Sequence, residues 1–280
     1  MTQADVPSHV PIGALRRQWT TAVDVALAVA ACGVMLAWFI GRPVFYTPTA
    51  PVMSAFTAFS LLLMVLVRQA RLHLDTWPMA LSLAMNGLVL GGNVSSIVML
   101  AIMPPKLWVS FSGIVLTSTM TSIGLVLFCL YDLVIALRDT PQSAFIMDDM
   151  LIHLALVPGG LSLLGYLMGN PTYLSVHADP RVGISLLEMV FLALYATSAI
   201  ISNPRLFLWR FLAASRTNRF VFAGLFANQF VAPVIVALVF STPGSRGPGI
   251  ELFVMLAGVV TTMSFLLLQA RVVRRQTGPL

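Results

Sequence analysis

Charge is what this chain has least of. Only 9% of its residues are Asp, Glu, Lys or Arg, against 58% hydrophobic, and the mean hydropathy is +0.92. A soluble domain with that balance lacks the polar surface to cover itself, so the composition reads as a polytopic membrane protein. Cysteine is nearly absent too. Cys32 and Cys129 both fall inside apolar runs, which argues against a disulfide framework or a thiolate cluster and leaves two small buried hydrophobes. The net charge of +6 comes from 16 basic residues set in short clusters between apolar runs, the pattern of membrane-protein loops rather than of a nucleic-acid-binding face. Paired metal-ligand spacings, a glycine-rich phosphate loop and a nucleophile–base motif are all missing. No catalytic or metal-binding residue is assigned, and a non-enzymatic role is expected.

What the chain has instead is long apolar runs. A helical span needs about 20 predominantly apolar residues, and eight runs qualify, at about 22–40, 50–67, 79–102, 108–137, 150–169, 183–202, 220–240 and 250–270. The expected fold is therefore all-α, a polytopic bundle of eight transmembrane helices, with 1–21 as an N-terminal tail, 22–270 as the membrane domain and 271–280 as a second tail. Arg16-Arg17 precedes the first run, but Gly41-Arg42-Pro43 offers no small-x-small cleavage site, so that run is expected to be retained. Eight spans put both termini on one side. With the termini in the cytoplasm, twelve of the 16 basic residues lie inside, leaving Arg42, Lys106, Arg181 and Arg246 outside, a split that follows the positive-inside rule. The segments between spans are too short for a soluble catalytic domain.

An internal repeat is visible when the runs are aligned. Leu36-Ala37-Trp38-Phe39-Ile40-Gly41-Arg42-Pro43 resembles Leu164-Gly165-Tyr166-Leu167-Met168-Gly169-Asn170-Pro171, and Asn86 in the third run falls near Asn228 in the seventh. Two four-span halves of parallel topology, about 22–137 and 150–270, are expected; convergent helix-end chemistry is the alternative.

Gly165-Tyr166-Leu167-Met168-Gly169-Asn170-Pro171-Thr172-Tyr173-Leu174, then Gly183-Ile184-Ser185-Leu186, then Ser202-Asn203-Pro204 resemble the N-terminal multi-span membrane domain of bacterial PAS-containing sensor histidine kinases and diguanylate cyclases. Pro48-Thr49-Ala50-Pro51, Thr57-Ala58-Phe59 and Gln269-Ala270-Arg271 echo the same pattern elsewhere. The resemblance extends over nearly the whole chain in layout and about forty residues in motif. It implies a sensory module in a bacterial inner membrane that signals to a protein partner or within a homodimer. Where the family pattern has His-Thr, this chain has Leu187-Glu188, so a role of that pair does not carry over. The 280 residues contain none of the family's cytoplasmic PAS, kinase or cyclase domains, and no output activity carries over either.

Glu188 is the sharpest candidate residue. It is the acidic side chain set well inside an apolar run, and intramembrane acids face the bundle interior and mark binding sites or proton pathways; a carboxyl that reaches the outer interface or pairs with Arg181 is the structural alternative. Asn86, Asn93, Asn228 and Gln229 need hydrogen-bond partners that lipid does not offer. They bond between helices or, together with Glu188 and Thr57, line one central polar pocket that binds a ligand. Gly87-x-x-x-Gly91, with Gly92, Ser95 and Ser96, reads as a close-packing face within the chain or across a dimer, as do Gly113, Thr117, Ser118, Thr121 and Ser122. Pro158-Gly159-Gly160 marks an expected kink or local unwinding in the fifth run, and Pro233 does so in the seventh. His9 and His177 lie in the tail and an outer loop, leaving His73 and His153 as the pair that a bis-histidine haem would need. Asp24, Asp132, Asp148 and Asp149 are expected to pair with arginines near the cytoplasmic boundary.

Three functions follow as expectations. The first is a sensor that binds a small apolar or membrane-dissolved ligand. The second is a small-molecule transporter that uses Glu188, and the third a quinone- or haem-binding subunit of a redox complex. No particular cofactor is assigned.

Overall fold

The computed structural model describes residues 12–46, 50–74, 76–103, 116–137, 146–170, 173–176, 180–240 and 250–277. Every regular element among them is helical: α1 (Ile12–Phe39), α2 (Ala55–His73), α3 (Met79–Ile102), α4 (Thr119–Ala136), α5 (Ile146–Met168), α6 (Leu186–Ser202), α7 (Phe207–Ala214), α8 (Arg216–Phe226), α9 (Ala232–Phe240) and α10 (Ile250–Thr277). A short 3-10 turn, Pro180–Val182, precedes α6, and a π turn, Ala227–Val231, joins α8 to α9.

Four of these helices begin on a serine. Ser54, Ser118, Ser185 and Ser215 cap α2, α4, α6 and α8, each accepting from the backbone N–H three residues on. Such a cap contributes about 1 kcal/mol by satisfying a donor that the helix cannot. At α6 the cap is reciprocal, since the Glu188 carboxylate also accepts from the Ser185 N–H, closing a capping box.

The ends of α1 and α5 share a geometry. Gly41 (φ 71°) and Gly169 (φ 62°) are the positive-φ glycines among the described residues. Beside them the Arg42 N–H donates to Ala37 O at 2.8 Å and the Asn170 N–H to Gly165 O at 3.0 Å. These are the six-to-one bonds of Schellman turns, which glycine permits without a Cβ penalty. One turn back, Trp38 Nε1 donates to Met53 O at 2.8 Å and the Tyr166 hydroxyl to Ile184 O at 2.9 Å. Each aromatic thereby ties the end of one helix to the residue just before the serine that caps the next. These are the two stretches that the sequence aligns.

Seven helical stretches are long and apolar enough to cross a bilayer: α1 to α5, the α8–α9 run through its π turn, and α10. The sixth expected span is different. α6 has 17 residues and bends by 70° into α7, and only the pair together gives an eighth. The surface is apolar and much of the interior polar: Val29, Phe39, Leu238 and Phe253 are exposed, while Asp24, Thr57, Asn93 and Glu188 are buried. That inversion, with the helix lengths, defines a multi-pass helical membrane bundle.

α6 occupies the middle of the main apolar core. Phe191, Leu192, Tyr195 and Ala196 pack there with Leu27 and Ala31 of α1, Leu61 and Met64 of α2, and Leu125 and Phe128 of α4. α8, α9 and α10 gather on α5 instead, where Met255 and Phe230 pack with Leu161 and Leu164.

Several sequence expectations need correction. The second span is not 50–67 but Ala55–His73, because Ser54 sets its start; Arg68, expected in a loop, is a buried residue of α2. The fourth does not begin at 108. Ser118 caps it, and the helix starts at Thr119, while 108–115, including Gly113, lie outside the described residues. Thr117, Ser118, Thr121 and Ser122 are all buried, as close packing requires. α5 stays helical through Pro158-Gly159-Gly160, without unwinding. Proline removes one donor only, and the Ser162 hydroxyl bonds the Pro158 carbonyl at 2.9 Å. The helix irregularity falls at Ala227–Val231. Within the chain Gly87 and Gly91 make no close contact, since a Cβ there would meet nothing within 4 Å, whereas at Gly92 it would lie 2.2 Å from Phe56 Cζ of α2; packing of the two glycines across a dimer, the other expectation for them, is a matter between chains. Cys129 is buried but Cys32 is exposed on α1.

Candidate functional site

The six polar residues expected to share one pocket are distributed among three places. Glu188 and Thr57 meet. Ser54 and Ser185 begin α2 and α6 side by side, so Thr57 and Glu188, each three residues into its helix, face one another, and Thr57 Oγ1 donates to Glu188 Oε1 at 2.9 Å. Glu188 Oε2 accepts from the Ser185 N–H at 2.8 Å and lies 3.1 Å from its hydroxyl. Thr117, beside the start of α4, closes the cluster at 3.0 Å from Ser54 Oγ and 3.3 Å from Thr57 Oγ1. Three helix N-termini thus converge on one carboxylate, which their dipoles favour. Both oxygens have protein donors, so the carboxyl neither reaches the surface nor depends on a basic partner.

Asn86 and Asn93 lie along one buried face of α3 and turn back on their own helix. Asn86 donates to Ser82 O at 3.0 Å and Asn93 to Val89 O at 2.8 Å, with Asn93 also 3.3 Å from Ser60 Oγ of α2. Neither contacts Glu188. Asn228 is exposed on the π turn, on the side away from its neighbour Gln229, which is fully buried.

Toward the other end of α6 is a buried ionic network built around Arg68, which sequence reasoning placed in a loop. The Arg68 guanidinium of α2 pairs in two bonds with Asp24 of α1, and Asp24 also accepts from Gln69 and from Ser198 of α6 at 2.6 Å each. Arg68 lies 4.0 Å from the centre of the Tyr195 ring, whose hydroxyl donates to Asp132 of α4 at 2.5 Å. Every partner is supplied from within the bundle, as a buried pair requires. Between this network and Glu188, the α6 face carries Phe191 and Leu192, packed on Phe128 and Leu125. The two polar layers are separated by hydrocarbon.

The third place is a cavity of about 110 Å³ between α5, α7, α8, the π turn and α10. Its walls are mainly apolar, from Ile152, Leu156, Leu208, Phe226 and Leu266, with Gln229, His153 and Thr262 also lining it. The side chains of Gln229 and His153 approach one another, but Gln229 Oε1 and Nε2, His153 Nε2 and Thr262 Oγ1 are buried and none makes a hydrogen bond of good geometry among the described residues. Such groups are rare in native structures and each calls for a reason. The π turn supplies part of one, because its extra residue shifts the side-chain register of the α8–α9 run at Gln229. Pi turns recur at functional sites. Gly258 of α10 lets this turn pack closely, since a Cβ there would fall 2.7 Å from Gln229 Cα. Asp149 is also in the wall, but its oxygens are engaged: they accept from the Phe207 and Leu208 N–H groups at 2.9 Å, capping α7 and fixing the elbow after α6. Asp149 does not pair with an arginine as expected.

His73 and His153, the pair that a bis-histidine haem would need, lie in separate places. His73 lies against Thr21 and Arg17 of α1, whereas His153 lines the cavity. His9 and His177 are outside the described residues. Among the described residues no group of three His, Cys, Asp or Glu side chains can hold a metal ion. The signal that was missed is a modest one, a threonine pair, Thr261-Thr262, in an apolar run; the expected pairing of Asp24 with an arginine is present, with Arg68 as the partner.

Comparison with protein-family models, curated proteins and solved structures finds no match to this chain. The fold itself places it among integral membrane proteins of the multi-pass helical class.

Proposed function

We propose that this chain is a membrane-embedded sensory module that binds a small, membrane-dissolved ligand in the cavity between α5 and α10. The observation that carries this reading is that four buried polar atoms without a well-formed hydrogen bond, from Gln229, His153 and Thr262, belong to residues that line a mainly apolar cavity beside a π turn. Pockets of this composition, largely apolar with a few convergent polar groups, are the usual form of small-molecule sites. Phe226, half exposed on a membrane-facing helix, stands at the rim and gives access from the bilayer. α10 carries Thr262 and Leu266 into the wall and runs on to Thr277, so a ligand that shifts α10 moves its far end against a protein partner or a second copy. In this reading the membrane is a bacterial inner membrane, both termini are cytoplasmic, and the repeated helix-end geometry at Gly41 and Gly169 marks two four-span halves.

Native mass spectrometry of the protein released from mild detergent tests the proposal. A bound small molecule is expected on the wild type and not on Leu156→Trp, which fills the cavity. Finding none on either, across membranes from several growth conditions, would overturn it. The transporter reading rests on Glu188, whose oxygens already have donors in Thr57 and Ser185. Proton-coupled uptake in proteoliposomes that Glu188→Gln abolishes would restore it.

A further inference from the structure

The cavity's own chemistry narrows the ligand, on the reading that it is a ligand site. Among the described residues no arginine or lysine lines the wall, so none of them neutralises an anion there. The one carboxylate in the wall, Asp149, has both oxygens engaged by backbone N–H groups of α7, so a cation finds no free countercharge. A neutral ligand remains. A pure hydrocarbon would leave all the unpartnered atoms as they are, at about 1–3 kcal/mol for each buried group. A ketone or quinone only accepts, so it can pair Gln229 Nε2 or Thr262 but leaves Gln229 Oε1 to the one side-chain donor near it, His153. A hydroxyl both donates and accepts: it can donate to Gln229 Oε1 while accepting from Gln229 Nε2, Thr262 or a protonated His153 nitrogen.

Shape adds the second constraint. Phe222, Phe226 and Phe230 form an aromatic wall, with the Phe226 and Phe230 ring centres 4.7 Å apart. Aromatic faces of this kind favour a flat ring in offset or edge contact. The cavity of about 110 Å³ is somewhat smaller than the roughly 150 Å³ engineered cavity that takes benzene, which limits the buried part to one ring. A longer substituent passes Phe226 into the lipid.

We propose that the site takes a neutral, single-ring aromatic alcohol, with its hydroxyl held by Gln229 and Thr262 and its ring against the phenylalanine wall. The test uses full-length protein in lipid nanodiscs, with phenol, toluene and cyclohexanol as probes and empty nanodiscs to subtract partitioning. Phenol is expected to raise the melting temperature at a concentration at least tenfold below that of toluene or cyclohexanol. Gln229→Leu and Thr262→Val, each checked for wild-type helicity, should bring the phenol response down to that of toluene. Equal responses to phenol and toluene, or to phenol and cyclohexanol, overturn the aromatic-alcohol assignment and leave a less selective apolar receptor. A phenol preference that survives both substitutions overturns the location. No response to any probe, together with no bound molecule by mass spectrometry, removes the receptor reading itself.

Discussion

Thr57 Oγ1 donates to Glu188 Oε1 at 2.9 Å across 131 residues, so the starts of α2 and α6 share one buried carboxylate. Glu188→Ala strands the Ser185 N–H, at about 1–3 kcal/mol for a buried orphan, and costs the Thr57 hydroxyl one partner while Ser54 and Thr117 remain within its reach. Glu188→Gln keeps an acceptor oxygen in the same place. The expected order of melting temperatures in nanodiscs is wild type, then Gln slightly lower, then Ala much lower. A melting temperature for Glu188→Ala equal to wild type would rule out the structural role.

Arg68 and Asp24 form a buried ion pair, and removing one charge leaves the other without its counter-ion. Arg68→Ala is expected to destabilise by about 3–5 kcal/mol, more than Gln69→Ala, which deletes one of several donors to Asp24. Denaturant unfolding in detergent reads both. In a double-mutant cycle, Asp24→Leu with Arg68→Met should recover part of the loss, because the pair is then replaced by hydrocarbon of similar size.

Glycine substitutions separate a contact that is needed from one that the sequence pattern only implied. Gly258→Ala forces a Cβ to 2.7 Å from the Gln229 backbone, where no side-chain rotation relieves it, and should destabilise by about 1–3 kcal/mol. Gly91→Ala meets open space and should be neutral or stabilising by up to about 1 kcal/mol through helix propensity. Thermal melts of the two variants side by side are decisive: a Gly91→Ala protein less stable than Gly258→Ala would contradict this packing.

Asp149 fixes the elbow after α6 by accepting from the first two N–H groups of α7. Asp149→Ala is expected to release α7, with hydrogen exchange over 207–214 rising at least several-fold while exchange in the core of α6 is unchanged. The loss of a cap of this kind corresponds to about 0.5–2 kcal/mol. Unchanged exchange in α7 would mean that the elbow is held by the packing of Phe207 and Phe211 on Leu266 instead.

Seven of the eight expected crossing segments were readable because a bilayer imposes a length, and length is a one-dimensional property. Helix starts were less legible. A serine that ends an apolar run and one that caps the next helix look alike in sequence, which is why α2 begins five residues later than the hydropathy placed it and α4 eleven. Of the candidate residues, Glu188 and Thr57 proved neighbours, but Asn86, Asn93, Asn228 and Gln229 did not join them. A polar residue in an apolar run announces that it needs a partner. It does not say which: Asn86 and Asn93 donate to carbonyls of their own helix, while their Oδ1 atoms have no hydrogen-bond partner among the described residues.

Composition and periodicity alone determined that this is a helical membrane protein, where its spans fall to within a few residues in most cases, and that two helix ends carry the same Gly-centred turn. These are local consequences of hydrocarbon thickness and backbone sterics. Only the tertiary structure decided that Arg68 belongs to Asp24, that Glu188 closes a cap, and that Gln229 turns into a cavity while Asn228 faces out. Those outcomes depend on the rotation of one helix against another. A single extra residue in the π turn at Ala227–Val231 is enough to change that rotation, and no pattern along the chain records it.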